Sequence, residues 1–495
     1  MDNIPESLHW LSFLPPVLAI GLALITRQVF LSLAAGIWLG FVILSGGNPL
    51  TGTFAAIDGF VAVFSDAGNT RIIIFTLVVG ALIALIQRSG GVAGFVQRLL
   101  SWLERLSDKA SGKASGKGQR KTVEILAFLT GILLFIESNI SILTVGTLYR
   151  PVFDKLGIPR EKLAYIADST ASSSCILIPF NAWGAFITGL IAAQGLANPF
   201  GQLMHATAYN FYPMLVLLIL GFVILTGKDT GEMKRAELRA KTTGALNREG
   251  AQIMMAEGAS SVEMKAGTTP RARNMVLPIA AMVILMPAFL VMTGYAGGDS
   301  FLTRLQSGSG SKSVLYATSF AVLLAIILYK VSGVMKIRES FEQSLSGMAA
   351  MVPLAILMVL AFALGSLCRE LGTGQYTADL AAGFISPALV PVMIFLIACF
   401  VAFSTGTSWG TFAVMIAIAV PLAQAMDANV SLAIAASLGG GIFGDHCSPT
   451  SDTSIISSMA TANDHIDHVR TQIPYALIGG VITAGLYVVL GVMGV

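Results

Sequence analysis

The sequence predicts an all-α polytopic membrane protein built as two inverted repeats, with about 10 transmembrane helices, two re-entrant hairpins and two broken helices. Three observations carry that expectation. Of the 495 residues, 55% are hydrophobic and only 12% are charged, whereas a soluble chain needs a charged surface. Apolar stretches close to the roughly 17–25 residues of a spanning helix recur along the chain. They include Trp10–Ile25, Val29–Leu44, Ile72–Ile86, Phe211–Leu225, Met275–Met292, Val314–Leu328 and Tyr475–Val495. The third observation is a conflict. Lys and Arg concentrate in cytoplasmic loops, yet both Lys121 and Arg150 flank the one apolar stretch Thr122–Tyr149. One crossing cannot leave both flanks inside. A hairpin that enters and returns can.

Taken in order, the chain opens with Asp2 and Glu6 where a signal peptide would carry Lys or Arg, so the first helix is expected to be retained. Three helices precede the first hairpin, residues 122–150, whose tip falls at Glu137-Ser138-Asn139. Between them, Val92–Asp108 carries apolar residues at helical spacing with Arg98 and Arg105, the pattern of a helix lying in the inner interface. Ser111–Lys121 has the wrong spacing for a phosphate loop and reads as a solvated basic loop. A broken helix, 163–194, and the Phe211–Leu225 crossing complete a first repeat, 1–226. A cytoplasmic linker, 227–273, mixed in charge and poor in aromatics, is expected to be mobile.

The second repeat, 274–495, has three crossings ending near Cys368, a hairpin at 387–421 with its tip at Ser404–Ser408, a broken helix at 430–460 and a last crossing, Ile473–Val495. This path puts both termini outside the cell's inner (cytoplasmic) membrane. Every Lys and Arg except Arg71, Arg304, Lys312 and Arg369 then falls inside, which decides the orientation. Because each half crosses an odd number of times, the second half runs inverted. Matched segments support the pairing: "FIESNIS" with "FSTGTSWG", Pro151 with Pro421 as hairpin closures, "ADSTASSSCILIP" with "GDHCSPTSDTS", and "FYP" with "IPY". Inverted repeats with interrupted helices are typical of secondary transporters.

"GDHCSPTSDTS" (444–454) follows an almost wholly apolar run. In hydrocarbon an unpaired backbone amide costs several kcal/mol, so unwound chain is tolerated only beside a cavity or buried in protein. The polar breaks are therefore expected at mid-membrane, each facing a hairpin tip. Sodium takes hard oxygen ligands. The second half offers Ser404, Thr405, Thr407, Ser408, Asp445, Ser448, Thr450 and Asp452; the first offers Glu137, Ser138, Asn139, Asp168, Ser169 and Thr170. Acids at this depth are costly and point to function, although they can also pair with internal bases or cap half-helices. A carboxylate that holds either a proton or a cation is the simplest exchange device.

Ser448-Pro449 should break the helix, leaving Asp445 as the direct sodium ligand with Thr405 and Thr407. Gly439–Gly441 and Gly444 are expected to free its backbone. Asp452 would orient hydroxyls or cap the next half-helix. His446 is a candidate proton carrier or a packing residue. Asn181 and Trp183 could line an organic-substrate pocket or serve packing.

Other chemistries are excluded or weaker. Adjacent Asp445 and His446 cannot stack behind Ser448 as a hydrolase triad, and no nucleophile elbow is present, so no enzyme is expected. The four cysteines, Cys175, Cys368, Cys399 and Cys447, have neither metal nor disulfide spacing. In "DHIDHVR" (464–470), His465 and His468 fit a solvated, pH-sensing inner helix end better than a metal site. No cofactor is implied beyond Na+ and H+ as transported or coupling ions. The expected partners are the lipid bilayer, small ions and an optional small organic solute, with no nucleic acid.

"GDHCSPTSDTSIISS" with "HVRTQIPYA" (468–476), together with "STGTSWGTF" (404–412), resembles the signature segments of NhaC-type sodium/proton antiporters. The resemblance implies a place in the ion-transporter superfamily, with sodium handled at Ser404–Ser408 and Asp445–Ser454, and assembly as a homodimer. Similar proteins also include sodium-linked exchangers of organic acids and sodium-coupled amino-acid transporters. Two functions therefore stand: sodium/proton antiport, and sodium-coupled transport of an amino acid or small organic acid.

Overall fold

The computed structural model describes the chain except residues 1–5, 27, 96, 99–100, 102–115, 136, 180, 254–263, 266, 296–303, 305–307, 374–375, 377–385 and 495. Among the described residues the fold is helical, and nine helices are long and apolar enough to cross a membrane, or up to eleven counting each bent pair as one span. This is the predicted all-α polytopic class. Two parts of the sequence reading, residues 102–108 of the interfacial helix and 111–115 of the basic loop, lie outside the described residues.

The first half begins with α1 (Leu14–Thr26), α2 (Val29–Leu44), α3 (Pro49–Val63) and α4 (Ala67–Arg88). Between α2 and α4 lies α3, which turns back from α2 by 119°. Asn48 starts it by accepting the Leu50 and Thr51 amides, the usual task of an N-cap side chain. Next come α5 (Gly116–Leu133), α6 (Ser138–Lys155), α7 (Arg160–Leu177), α8 (Ala182–Ala192), α9 (Pro199–Ala208) and α10 (Phe211–Thr226). The predicted loop at 111–121 is thus helical from Gly116.

The linker carries α11 (Gly231–Thr243), and its described part is docked rather than loose. Arg239 binds Glu161, Arg120 binds Glu237, and Lys162 binds Asp229. Arg248 reaches Asp467 at 3.0 Å, and the Gln252 amide donates to Asp464. Buried Met233, Ala236 and Ala240 give α11 an apolar face as well. Mixed charge read as mobility because the partners lie far away in sequence.

The second half holds α12 (Arg273–Thr293), α13 (Gly310–Val331), α14 (Ile337–Ala350), α15 (Val352–Glu370), α16 (Val390–Thr405), α17 (Ser408–Ala425), α18 (Val430–Cys447), α19 (Asp452–Thr461) and α20 (His465–Val492). Burial sorts them. The α18 window is 83% buried, against 28% for α12, so α18 is a central helix wrapped in protein and α12 faces lipid. Its glycines serve that position. A Cβ at Gly440 would meet the Phe395 carbonyl oxygen at 2.5 Å, and one at Gly444 the Cys399 carbonyl oxygen at 2.5 Å. They admit α16 at close range inside a continuous helix instead of freeing the backbone of Asp445.

Two further expectations are corrected. Pro151 and Pro421 sit within α6 and α17 rather than closing them. In the first half, Asp168–Ser174 remain helical, and the chain leaves the helix only at Ile178 (φ −111°, ψ 88°). Pro179 explains the position, since proline disfavours helix at the residue before it. In the second half the break comes at Ser448 (φ −80°, ψ 128°), before Pro449.

Candidate ion and substrate site

The helix interruptions after α5, α7, α16 and α18 contribute residues, at or beside each break, to one cavity wall. Each α-helical pair is tied to a break. Asn181 Nδ2 donates to the carbonyl oxygens of Phe135 (2.7 Å), Cys175 (2.8 Å) and Ile178 (3.0 Å). In the other half, Ser448 Oγ donates to the Phe403 carbonyl at 2.7 Å. Gly406, at the α16–α17 tip, takes φ +67°, and a Cβ there would sit 2.5 Å from the Thr450 carbonyl oxygen. Only glycine fits that approach and that dihedral.

Between these ends lies a cavity of about 430 Å³. Glu137, Asn139, Thr405, Thr407 and Asp452 supply polar groups on its wall, and Gln28 and Trp409 line it as well. Each half-helix that begins at a break contributes: Asn139 from α6, Ala182 from α8, Trp409 and Gly410 from α17, Asp452 from α19. No Lys, Arg or His lines the cavity among the described residues. Glu137 is also the N-cap of α6, accepting the Ile140 amide at 2.8 Å and Asn139 Nδ2 at 3.1 Å. Thr407 caps α17. Ser451, not Asp452, caps α19, which leaves the exposed Asp452 carboxylate to accept from the Thr453 amide at 2.9 Å.

The other predicted residues stand behind the wall. Asp445 is fully buried; its Oδ1 accepts from Ser451 Oγ at 2.7 Å, and Oδ2 has no partner among the described residues. Asp168 is equally buried. Its Oδ2 accepts from Gln472 Nε2 (2.8 Å), Ser454 Oγ (2.9 Å) and His468 Nε2 (3.2 Å), while Oδ1 has no partner among the described residues. His446 lies with Nδ1 3.3 Å from Tyr212 Oη, and its Nε2 has no partner among the described residues.

The buried Ser169 hydroxyl has no partner among the described residues, and Thr170 donates its hydroxyl to the Ile166 carbonyl. Ser138 and Ser408 are buried beside the tips, Ser404 is half-buried off the wall, and Thr450 is exposed with its hydroxyl 2.9 Å from Ser448 Oγ. Asn181 and Trp183 are 1% exposed and do not line the cavity. Asn181 is occupied with the break, and Trp183 packs on Trp409 with ring centroids 4.8 Å apart.

Sequence reasoning missed Gln472 and Tyr212 and misplaced His468. His468 was assigned to a solvated helix end; it is fully buried against Asp168. The available signal was the His468–Gln472 spacing, which puts two polar side chains on one face of an otherwise apolar helix. No group of three metal-ligating side chains forms among the described residues.

The Na+/H+ antiporter family model matches residues 174–492, a span that holds both broken helices' interruptions and the α16–α17 tip. The chain belongs to the Na+/H+ antiporter family. As a member of that family it is a membrane transporter and not an enzyme. An uncharacterized protein of Haemophilus influenzae is 30% identical, covering 99% of this chain and 92% of its own. The malate-2H+/Na+-lactate antiporter of Bacillus subtilis is 32% identical over 22% of this chain and 24% of its own. Among solved structures, the YdaH transporter of Alcanivorax borkumensis superposes with a TM-score of 0.56 at 14% identity, covering 90% of this chain and 89% of that one. At that identity the likeness is one of fold.

Proposed function

We propose that this family member is a sodium/proton antiporter whose exchange site is the cavity between the α5–α6 and α16–α17 tips. One observation carries the reading: Glu137 and Asp452 face the same cavity, and no basic residue lines it among the described residues. Two acids in a low-dielectric site need neutralising charge, and protons or sodium ions supply it. Thr405, Thr407 and Asn139 add neutral oxygens to the same wall. Asp452 is the direct ligand in this reading, with Asp445 behind it, the reverse of the sequence-based order. Asp445 and His446, each buried with one unpartnered side-chain atom among the described residues, form a buried reserve that passes a proton behind the wall.

The same reading takes α1–α10 and α12–α20 as two inverted repeats, 1–226 and 274–495, with α5–α6 and α16–α17 as re-entrant hairpins. Helices α7–α8 and α18–α19 are the broken pair. The chain sits in the inner membrane with both termini outside, as a homodimer.

A second reading, sodium-coupled transport of an amino acid or small organic acid, is favoured by the cavity's size. A volume of about 430 Å³ lies within the usual range of organic-ligand pockets. Half-helix N-termini on its wall could receive a carboxylate, and the two acids an ammonium. The B. subtilis relative is named for organic-acid exchange.

Proteoliposomes loaded with a pH-sensitive dye separate the two. In the first reading an imposed sodium gradient moves protons with no organic solute present, and Asp452→Asn abolishes the flux. Sodium that moves protons only when an amino acid or hydroxy acid is added would replace the first reading by the second.

A further inference from the structure

On the Lys/Arg-rich side, away from the exchange cavity, a groove of about 740 Å³ runs between the helical turn 91–98 and the start of α12. Arg98, Arg271 and Arg273 line it, and no acid does among the described residues. Arg273 donates to Ser332 Oγ at 3.3 Å, and the Arg271 carbonyl accepts the Asn274 amide at 3.0 Å, while the guanidinium groups of Arg98 and Arg271 line the groove with no ion pair or hydrogen bond among the described residues. The acids of α14 are engaged elsewhere, Glu339 with Lys265 at 2.6 Å and Glu342 with Arg338 at 2.9 Å.

The groove is held by fixed backbone, so the arginines do not meet by chance. A Cβ on Gly94 would lie 2.2 Å from the Arg271 amide nitrogen, and one on Gly91 2.8 Å from that of Met275. Asn274 Nδ2 donates to the Ser89 carbonyl at 3.0 Å, locking the two segments. Beyond the arginines the lining turns apolar at Val276 (42% exposed) and Leu277 (46% exposed), on α12, a largely lipid-facing span.

We propose that this groove binds an anionic phospholipid, its phosphate held by Arg98, Arg271 and Arg273 and its acyl chains laid along Val276 and Leu277. Guanidinium groups match phosphate oxygens in a bidentate geometry, and basic pockets at the cytoplasmic ends of spanning helices suit anionic headgroups. The apolar continuation onto the lipid face decides for a lipid over a soluble anion, which would gain nothing from Val276 and Leu277.

The test uses full-length protein, delipidated and then equilibrated with phosphatidylglycerol or phosphatidylcholine, with bound lipid counted by native mass spectrometry. The intact protein retains phosphatidylglycerol preferentially. Arg98→Gln/Arg271→Gln weakens that retention by about 25-fold, roughly fivefold per arginine, and leaves phosphatidylcholine unchanged. Arg98→Lys/Arg271→Lys recovers most of it, and Arg338→Gln, on the same face but outside the groove, changes nothing. Retention of phosphatidylglycerol by the double Gln variant at the level of the intact protein would overturn the proposal. So would displacement of the lipid by equimolar inorganic phosphate, which would mark a soluble-anion site, or loss of self-association in place of lipid, which would put a second copy in the groove.

Discussion

The cavity wall and the buried cluster behind it hold the same residue types in opposite circumstances. On the wall, Asp452 accepts one backbone amide and is exposed to the cavity. Behind it, Asp168 takes three side-chain donors from α19 and α20. An acid with free lone pairs and an open approach can exchange its partner ion. One enclosed by donors is held by them, and its loss strands those donors in a dry interior. The difference separates a group suited to turnover from a group that joins the two broken helices, although both look alike as acids in hydroxyl-rich segments.

That comparison breaks or sharpens on four measurements. Asp452→Asn should cut sodium-driven proton flux by about three orders of magnitude, as expected when a desolvated cation loses its charged partner. Its thermal stability should barely move. Asp168→Ala should behave in reverse, losing about 3 kcal/mol of stability because His468, Gln472 and Ser454 lose their acceptor. Full stability with abolished flux in Asp168→Asn would move the exchange site into the buried cluster. Asn181→Ala should cost about 2 kcal/mol through the carbonyls of Phe135, Cys175 and Ile178, and its residual folded protein should still transport. A selective loss of transport with unchanged melting would return Asn181 to the substrate path.

The smallest effect concerns the linker. Burial opposes ionisation of Asp464, but the Gln252, Asp467 and Ile466 amides and Arg248 outweigh it, holding the carboxyl below its ordinary range. A depressed folded-state pKa contributes docking energy that is present above the ordinary value near 3.9 and is lost as pH falls through the lower folded value. Protease sensitivity of segment 227–253 should therefore stay flat from about pH 5 to 8, while Asp464→Asn raises it throughout. A transition between about pH 6 and 7 would point to a histidine instead.

Much of the architecture was legible in the sequence because a membrane imposes length, hydropathy and charge bias on single segments, each readable locally. The break at Ser448-Pro449 was legible for the same reason: proline acts on its immediate neighbour. The hydroxyl-rich stretch at Asp168–Ser174 misled, since composition suggested an unwound chain where the backbone stays helical until Pro179 acts four residues beyond Cys175. The docked linker was illegible as well, for its counter-charges come from Glu161, Lys162, Asp464 and Asp467, far along the chain.

From the sequence alone came the helical membrane class, the polar tips and breaks, and the set of acids from which an exchange site can be built. Which acid faces the cavity was decided only by tertiary structure. Asp445 and Asp452 are seven residues apart, the same face of an unbroken helix. Extended dihedrals at Ser448 and Ser451, with a turn between them closed by the Ser451 amide on the Ser448 carbonyl, separate α19 from α18, so one carboxylate reaches the cavity and the other is sealed behind Ser451. Asp168 likewise acquires its character from His468 and Gln472, which only the packing of α20 against α7 and α19 brings within hydrogen-bond reach. Local chemistry chooses the residue types; the direction each side chain finally points depends on how separate helices pack.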